Sequence, residues 1–247
     1  MTKKFIIFIF IVLLAGSAIF FWQKNQTPKE LPDEIPTEEE PKVISMCFNY
    51  AQKTDRGFYD RSWVIFNIDG INVSGEFNNY PAEKDSKIGK FAGTVGPVDK
   101  VSMGRTANLW WDNLQEGIQS REELMIEFGD GSASAVFGEM MDRGDGVYIY
   151  ADKTDLSFGP SMWQIDCDSI DEMILVEKYI RDNIKTIATD FPVLGGSWYV
   201  LSVYANYSLN EGEVLYEDGH IMSNAKFKYD FDANTKTTTI KSIELIK

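Results

Sequence analysis

The hydrophobic pattern changes character twice along the chain. From Phe5 to Trp22 it is one unbroken run without a charge, FIIFIFIVLLAGSAIFFW. As a helix rising about 1.5 Å per residue, the run reaches roughly 27 Å, close to the ~30 Å hydrocarbon core of a bilayer. Trp22 and Lys24 stand where side chains meet the interface. The pattern predicts a single transmembrane anchor. Lys3 and Lys4 precede it and no rival basic cluster follows before the next segment, which puts residues 1–4 in the cytoplasm and the rest outside. A cleaved signal peptide is the competing reading, because Ala15, Gly16, Ser17 and Ala18 interrupt the run. Cleavage there would leave Ile19-Phe20-Phe21-Trp22 as a water-exposed terminus, which favours the anchor. The stretch Leu13 to Ser17 has the form of a bacterial lipoprotein signal, but Ser17 replaces the cysteine that would carry the lipid.

Residues Gln23 to Lys42 carry four prolines, the run Glu38-Glu39-Glu40 and almost no apolar side chains. Nothing in them offsets ordering entropy, so the segment reads as an acidic, proline-rich linker. After it the pattern turns to short β-branched and aromatic runs separated by turn dipeptides. Val43–Tyr50, Trp63–Ile68 and Ile71–Phe77 read as strands, the last two joined across Asp69-Gly70. Phe91–Val95 and Val98–Met103 flank Gly96-Pro97, and Leu124–Phe128 and Ser132–Phe137 flank Asp130-Gly131. Val147–Tyr150 follows, and Trp198–Tyr204, Glu213–Tyr216, Ala225–Phe231 and Thr237–Leu245 complete the set.

Two segments carry helical signals instead. From Ser169 to Ala188, Ile170, Met173, Ile174, Ile180, Ile184 and Ile187 form an apolar stripe, with Asp168 as the expected N-cap and Asp171 and Glu172 in the first turn. A shorter helix is expected over Thr106–Glu116. The expected fold is therefore mostly β: an antiparallel meander, barrel-like or sandwich, with one long and one short helix. It occupies residues 43–247, with 197–247 set off after Pro192–Gly196 as a subdomain.

Charge narrows the partners. The formal net charge is −14, and −16 once Lys3 and Lys4 are set aside. Such a surface repels phosphate backbones, which excludes nucleic acid, and disfavours anionic lipid. With one histidine and two cysteines, no C-x-x-C or H-E-x-x-H spacing exists, so no metal or other cofactor is expected. His220 follows Glu217-Asp218-Gly219 and reads as a turn residue. Carboxylates are too abundant for any pair to stand out. Asp112 with Glu116, or Glu139 with Asp142 and Asp145, offers an acid–base couple, and Asp142 with Asp145 offers calcium ligands. Solvated turn carboxylates are the plainer account.

The aromatics are more informative. Trp110-Trp111 with Arg105, and Tyr148 and Tyr150 beside Asp142 and Arg143, suit a stacking platform for a sugar or peptide, against the plainer account of core packing. Cys47 and Cys167 are the only thiols of a chain expected outside the cytoplasm, where thiols oxidise, so a disulfide between them is expected; the competing account is two buried free thiols.

Seven stretches carry a resemblance: Asn79–Ser86 (NYPAEKDS), Gly93–Val98 (GTVGPV), Ala107–Gly117 (ANLWWDNLQEG), Phe137–Tyr150 (FGEMMDRGDGVYIY), Val176–Ile184 (VEKYIRDNI), Leu194–Val200 (LGGSWYV) and Tyr216–Ile221 (YEDGHI). Together they resemble envelope proteins of candidate-phylum bacteria, a family whose own role is unassigned. The resemblance implies a bacterial source and an exported β domain, and no activity. The expectation is a non-catalytic, membrane-anchored envelope module that binds a glycan, peptide or protein or helps build the surface. The alternative is a carboxylate-dependent hydrolase of an envelope polymer.

Overall fold

The computed structural model describes residues 43–246. The expected anchor at 5–22 and linker at 23–42 lie outside the described residues. Among the described residues no helix is long and apolar enough to cross a membrane.

Seven strands follow one another as antiparallel neighbours: β1 (Ile44–Lys53), β2 (Tyr59–Asp69), β3 (Asn72–Tyr80), β4 (Lys87–Val95), β5 (Arg105–Gln115), β6 (Ile118–Gly129) and β7 (Ser132–Phe137). Three short strands come next, β8 (Met140–Asp142), β9 (Val147–Tyr150) and β10 (Ser157–Phe158), and then β11 (Met162–Ile165). Strand β11 pairs with both β7 and β1, so the sheet closes into an eight-stranded antiparallel barrel. Closure gives each of the eight a neighbour on both sides, although β1 meets β11 only at Cys47, Phe48 and Asn49.

Alternation drives this. On β2, Val64, Phe66 and Ile68 point inward, and on β5 Ala107, Leu109 and Trp111 do the same. With Phe48, Phe77, Phe91, Ile126 and Phe128 they fill the interior, which is a packed core and not a channel. Gly75 permits a close approach of its neighbours. A methyl group there would lie 1.8 Å from the Ile65 carbonyl oxygen and 2.7 Å from the Phe91 ring. Its two cross-strand neighbours, Phe66 and Phe91, meet over this space with ring centroids 5.5 Å apart.

A helix, α1 (Cys167–Ile187), leaves β11 and packs on a second sheet of four antiparallel strands, β12 (Tyr199–Asn206), β13 (Glu211–Glu217), β14 (Met222–Asp232) and β15 (Thr237–Leu245). Val176, Ile180 and Ile184 bury against Trp198, Tyr216, Phe227 and Tyr229. The first turns of α1 turn instead to the barrel wall, where Ile170 and Met173 pack on Cys47 and Trp63. Cys47 and Cys167 are joined there by a disulfide, with Cα atoms 5.2 Å apart. An ion pair between half-buried side chains, Arg61 on β2 and Glu177 on α1, ties the same two elements. Glu177 also accepts the Ala205 N–H at 3.2 Å, which draws β12 into the junction.

Three expectations need correction. The segment 106–116 is not a helix but strand β5. Its inward residues, Ala107, Leu109, Trp111 and Asn113, follow a period of two; the adjacent tryptophans and the inward Asn113 beside an outward Leu114 obscure that period in the sequence. Val98–Met103 is a loop, not a strand, folded around the Asp99 carboxylate, which accepts the Val101 and Ser102 N–H groups at 2.8 Å each. The helix N-cap is Asp166, not Asp168, and Ile174 stays exposed while Val176 takes the buried position.

Candidate ligand-binding surface on the barrel

Strand β5 sends its two tryptophans to opposite faces. Trp111 is 3% exposed, its indole N–H donates to the Gly89 carbonyl at 3.2 Å, and its ring packs on Phe77 at 5.1 Å. Trp110 is 37% exposed on the outer wall. The Arg143 guanidinium, from the β8–β9 loop, lies over its ring 6.0 Å from the centroid. That loop is tied by its own bonding: Asp142 accepts the Gly144 N–H at 2.7 Å, and Asp145 accepts the Arg143 Nε–H at 3.2 Å and the Val147 N–H at 3.3 Å. The Arg143 hydrogen bond holds the Asp145 carboxyl below its ordinary range, and the same contact raises Arg143.

A groove of about 550 Å³ lies on the outer face, its lining reaching Asp112, two residues along β5 from Trp110, and Gly146 of the β8–β9 loop. Register creates it. Glu76, Lys90, Asp112 and Arg121 are successive cross-strand partners on β3, β4, β5 and β6, a row of alternating sign. Arg121 and Asp112 approach to 3.2 Å. Ile88 and Leu114 supply the apolar part of its lining. Opposite charges placed directly across strands stabilise the sheet, and the row presents both signs to a ligand.

A second cleft, of about 270 Å³, opens at the barrel end that carries the β3–β4 and β5–β6 connections. There the Lys87 ammonium donates to both Glu122 oxygens at 2.8 Å, and Ser120 bonds Glu122 and Asn113 at 3.0 Å each. Glu123 accepts the Tyr150 N–H at 3.4 Å and is ion-paired with Lys153. Tyr150 fills the gap where β7 parts from β6 and β9 takes its place. Its hydroxyl donates to the Val136 carbonyl at 2.7 Å and accepts the Met125 N–H at 3.2 Å, and burial raises its pKa.

The structure thus divides the residues singled out in the sequence. Trp110, Asp142 and Arg143 share the outer wall and its adjoining loop. Trp111 and Tyr150 are buried, and Tyr148 is half-buried as the parallel partner of Glu122. Arg105 lies at the opposite barrel end, donating to the Gly96 carbonyl at 2.9 Å. His220 stands in the β13–β14 turn, its N–H bonded to Asp218 at 2.8 Å. Among the described residues no group of three or more His, Cys, Asp or Glu is placed to hold a metal ion. Lys90, Arg121, Lys87 and Glu122 were not distinguishable in the sequence, because their meaning depends on cross-strand register.

Compared with protein-family models, with curated proteins and with solved structures, the chain finds no match.

Proposed function

We propose that the chain is a non-catalytic binding or structural module of a cell envelope, anchored through residues 5–22 with its barrel outside the cytoplasm, and that it holds a glycan or peptide along the groove beside Trp110. The observation that carries this reading is the half-open Trp110 ring under Arg143, next to a groove of both charge signs. A rigid aromatic face with flanking charges suits the apolar face and polar rim of a sugar or an extended peptide. The hydrolase reading fares less well. It needs two carboxyl groups about 5–9.5 Å apart and free to exchange protons with substrate. Glu122, Glu123 and Asp112 are each already paired with a cation, Lys87, Lys153 and Arg121. The charge-free run behind two lysines supports the anchor, and the Cys47–Cys167 bridge supports an oxidising compartment.

The test is a binding titration of murein fragments and short peptides, followed by intrinsic fluorescence, on wild type and Trp110→Ala. Weakening of at least tenfold in the variant with an unchanged melting temperature is the expected result. Equal binding by both proteins, or polymer turnover that Glu122→Gln abolishes, would sink the proposal.

A further inference from the structure

The barrel end opposite the Lys87–Glu122 cleft is apolar at its tips. It carries the β2–β3 turn, the β4–β5 loop and the beginning of β1. Val101 is 94% exposed, and Ile71, Met103, Val98, Val43 and Ile44 are each more than half exposed. The loop holding Val101 and Met103 is not slack. Asp99 accepts two backbone N–H groups within it, the Asp99 N–H donates to the Gly104 carbonyl at 2.8 Å, and the Met103 N–H returns to the Asp99 carbonyl at 2.9 Å. The neighbouring turn is tied in as well, the Val95 N–H donating to the Ile71 carbonyl at 2.9 Å. A loop that bonds most of its own backbone N–H groups and turns its apolar side chains outward suits a lipid interface better than water.

The occupant follows from where the chain goes. Its described part begins at Val43, at this same end, and residues 23–42 separate it from the charge-free run. At no more than about 3.3–3.6 Å per residue, that stretch keeps this end within about 70 Å of the membrane. Tethering of this kind gives effective concentrations in the millimolar range, so a weak interfacial affinity is sufficient. We infer that this end of the barrel docks on the bilayer surface, with Val101 and Met103 entering the headgroup–acyl boundary, while the groove beside Trp110 stays open to its ligand. The inference rests on the anchor reading above. The exposed acids of the same end, Asp69, Asp99 and Asp130, outnumber Lys100 and the half-buried Arg105, so zwitterionic lipid is the favoured surface.

The full chain is reconstituted in phosphatidylcholine vesicles with a single added cysteine, Val101→Cys or Glu83→Cys at the opposite end, labelled with an environment-sensitive fluorophore. Both native cysteines are in the disulfide. Flotation is read first, then quenching by lipids carrying a nitroxide near the headgroup. The expected result is at least twofold stronger quenching at position 101 than at 83, reduced by Ile71→Asp with Met103→Asp and by added phosphatidylglycerol. Flotation with equal, weak quenching at both positions overturns the inference and leaves the anchor standing. A blue-shifted but unquenched probe at 101 also overturns it, since a protein surface then covers the tip. Failure to float removes the anchor reading and the inference with it.

Discussion

Replacing both bridged cysteines, Cys47→Ala with Cys167→Ala, tests how much of the domain's stability comes from a single covalent tie. The bridge spans 120 positions, and in the chain-entropy treatment a closed loop of that length restricts the unfolded chain by roughly 4–5 kcal/mol. Cys47 is fully buried among Trp63, Ile170 and Met173, so losing the sulfur atoms adds a packing cost of about 1 kcal/mol. The expected loss is therefore about 5–6 kcal/mol, a large part of the 5–15 kcal/mol typical of a whole domain. Urea unfolding of the oxidised wild type and the double variant measures it. Because the effect acts mainly on the unfolded state, the unbridged chain exposes more surface and its m-value rises along with the fall in midpoint. Amide exchange adds a spatial check, since protection should fall first in the opening turns of α1, where the tie is made. A loss below about 1 kcal/mol, or an unchanged m-value, would refute the reasoning and assign the junction's strength to packing alone.

Three further outcomes follow from the junction and the barrel core. Trp111→Ala removes a buried indole and should cost about 3–5 kcal/mol by thermal or chemical unfolding, whereas Trp110→Ala should stay within about 1 kcal/mol. Glu177→Ala leaves Arg61 without its carboxylate, over the Tyr80 ring at 5.2 Å and near the like charge of Arg181, and should cost about 3 kcal/mol; in a double-mutant cycle Arg61→Met with Glu177→Met should cost less than the single change. Burial, then the neighbouring Glu213, pushes the Tyr59 phenol up to about 12, and burial with Asp190 and Glu172 raises Tyr216 and Tyr229. Their ordinary value is about 10, so above that pH the unfolded chain releases phenolic protons that the folded one retains. Stability is then fully present below about pH 10 and falls as the pH rises towards 12; the phenolate absorbance that belongs to these three, read as the part lost in their Phe variants, should appear with unfolding.

The legible parts of the fold were those whose signal is local. Asp69-Gly70 and Asp130-Gly131 mark hairpins that the structure contains, and the spacing of Ile170, Met173, Ile180 and Ile184 does place one face of α1 in the core. The failures have a common cause. On β5, alternation turns Asn113 inward, where Ser120 across the sheet satisfies its side chain, and Leu114 outward into the groove, so polarity contradicts the true period. The residues of the groove read as a solvated face until the register sets Glu76, Lys90, Asp112 and Arg121 side by side. Barrel closure was equally hidden, since β11 is four residues long and pairs with a strand more than a hundred positions earlier.

That last pairing sets an order of events during synthesis. The first strand to emerge, β1, gains β2 at once, but its other flank waits for Trp163, Gln164 and Ile165. Until those residues arrive, both β1 and β7 present bare hydrogen-bonding edges, the condition under which chains associate wrongly. Ile165 is the cross-strand partner of Cys47, and Cys167 lies two positions beyond it. The two sulfurs therefore come within reach as the final strand zips into place. In the finished ring the covalent bond works as a latch: with Cys167 tied to the strand that Ile165 pairs with, the last strand is kept from slipping out.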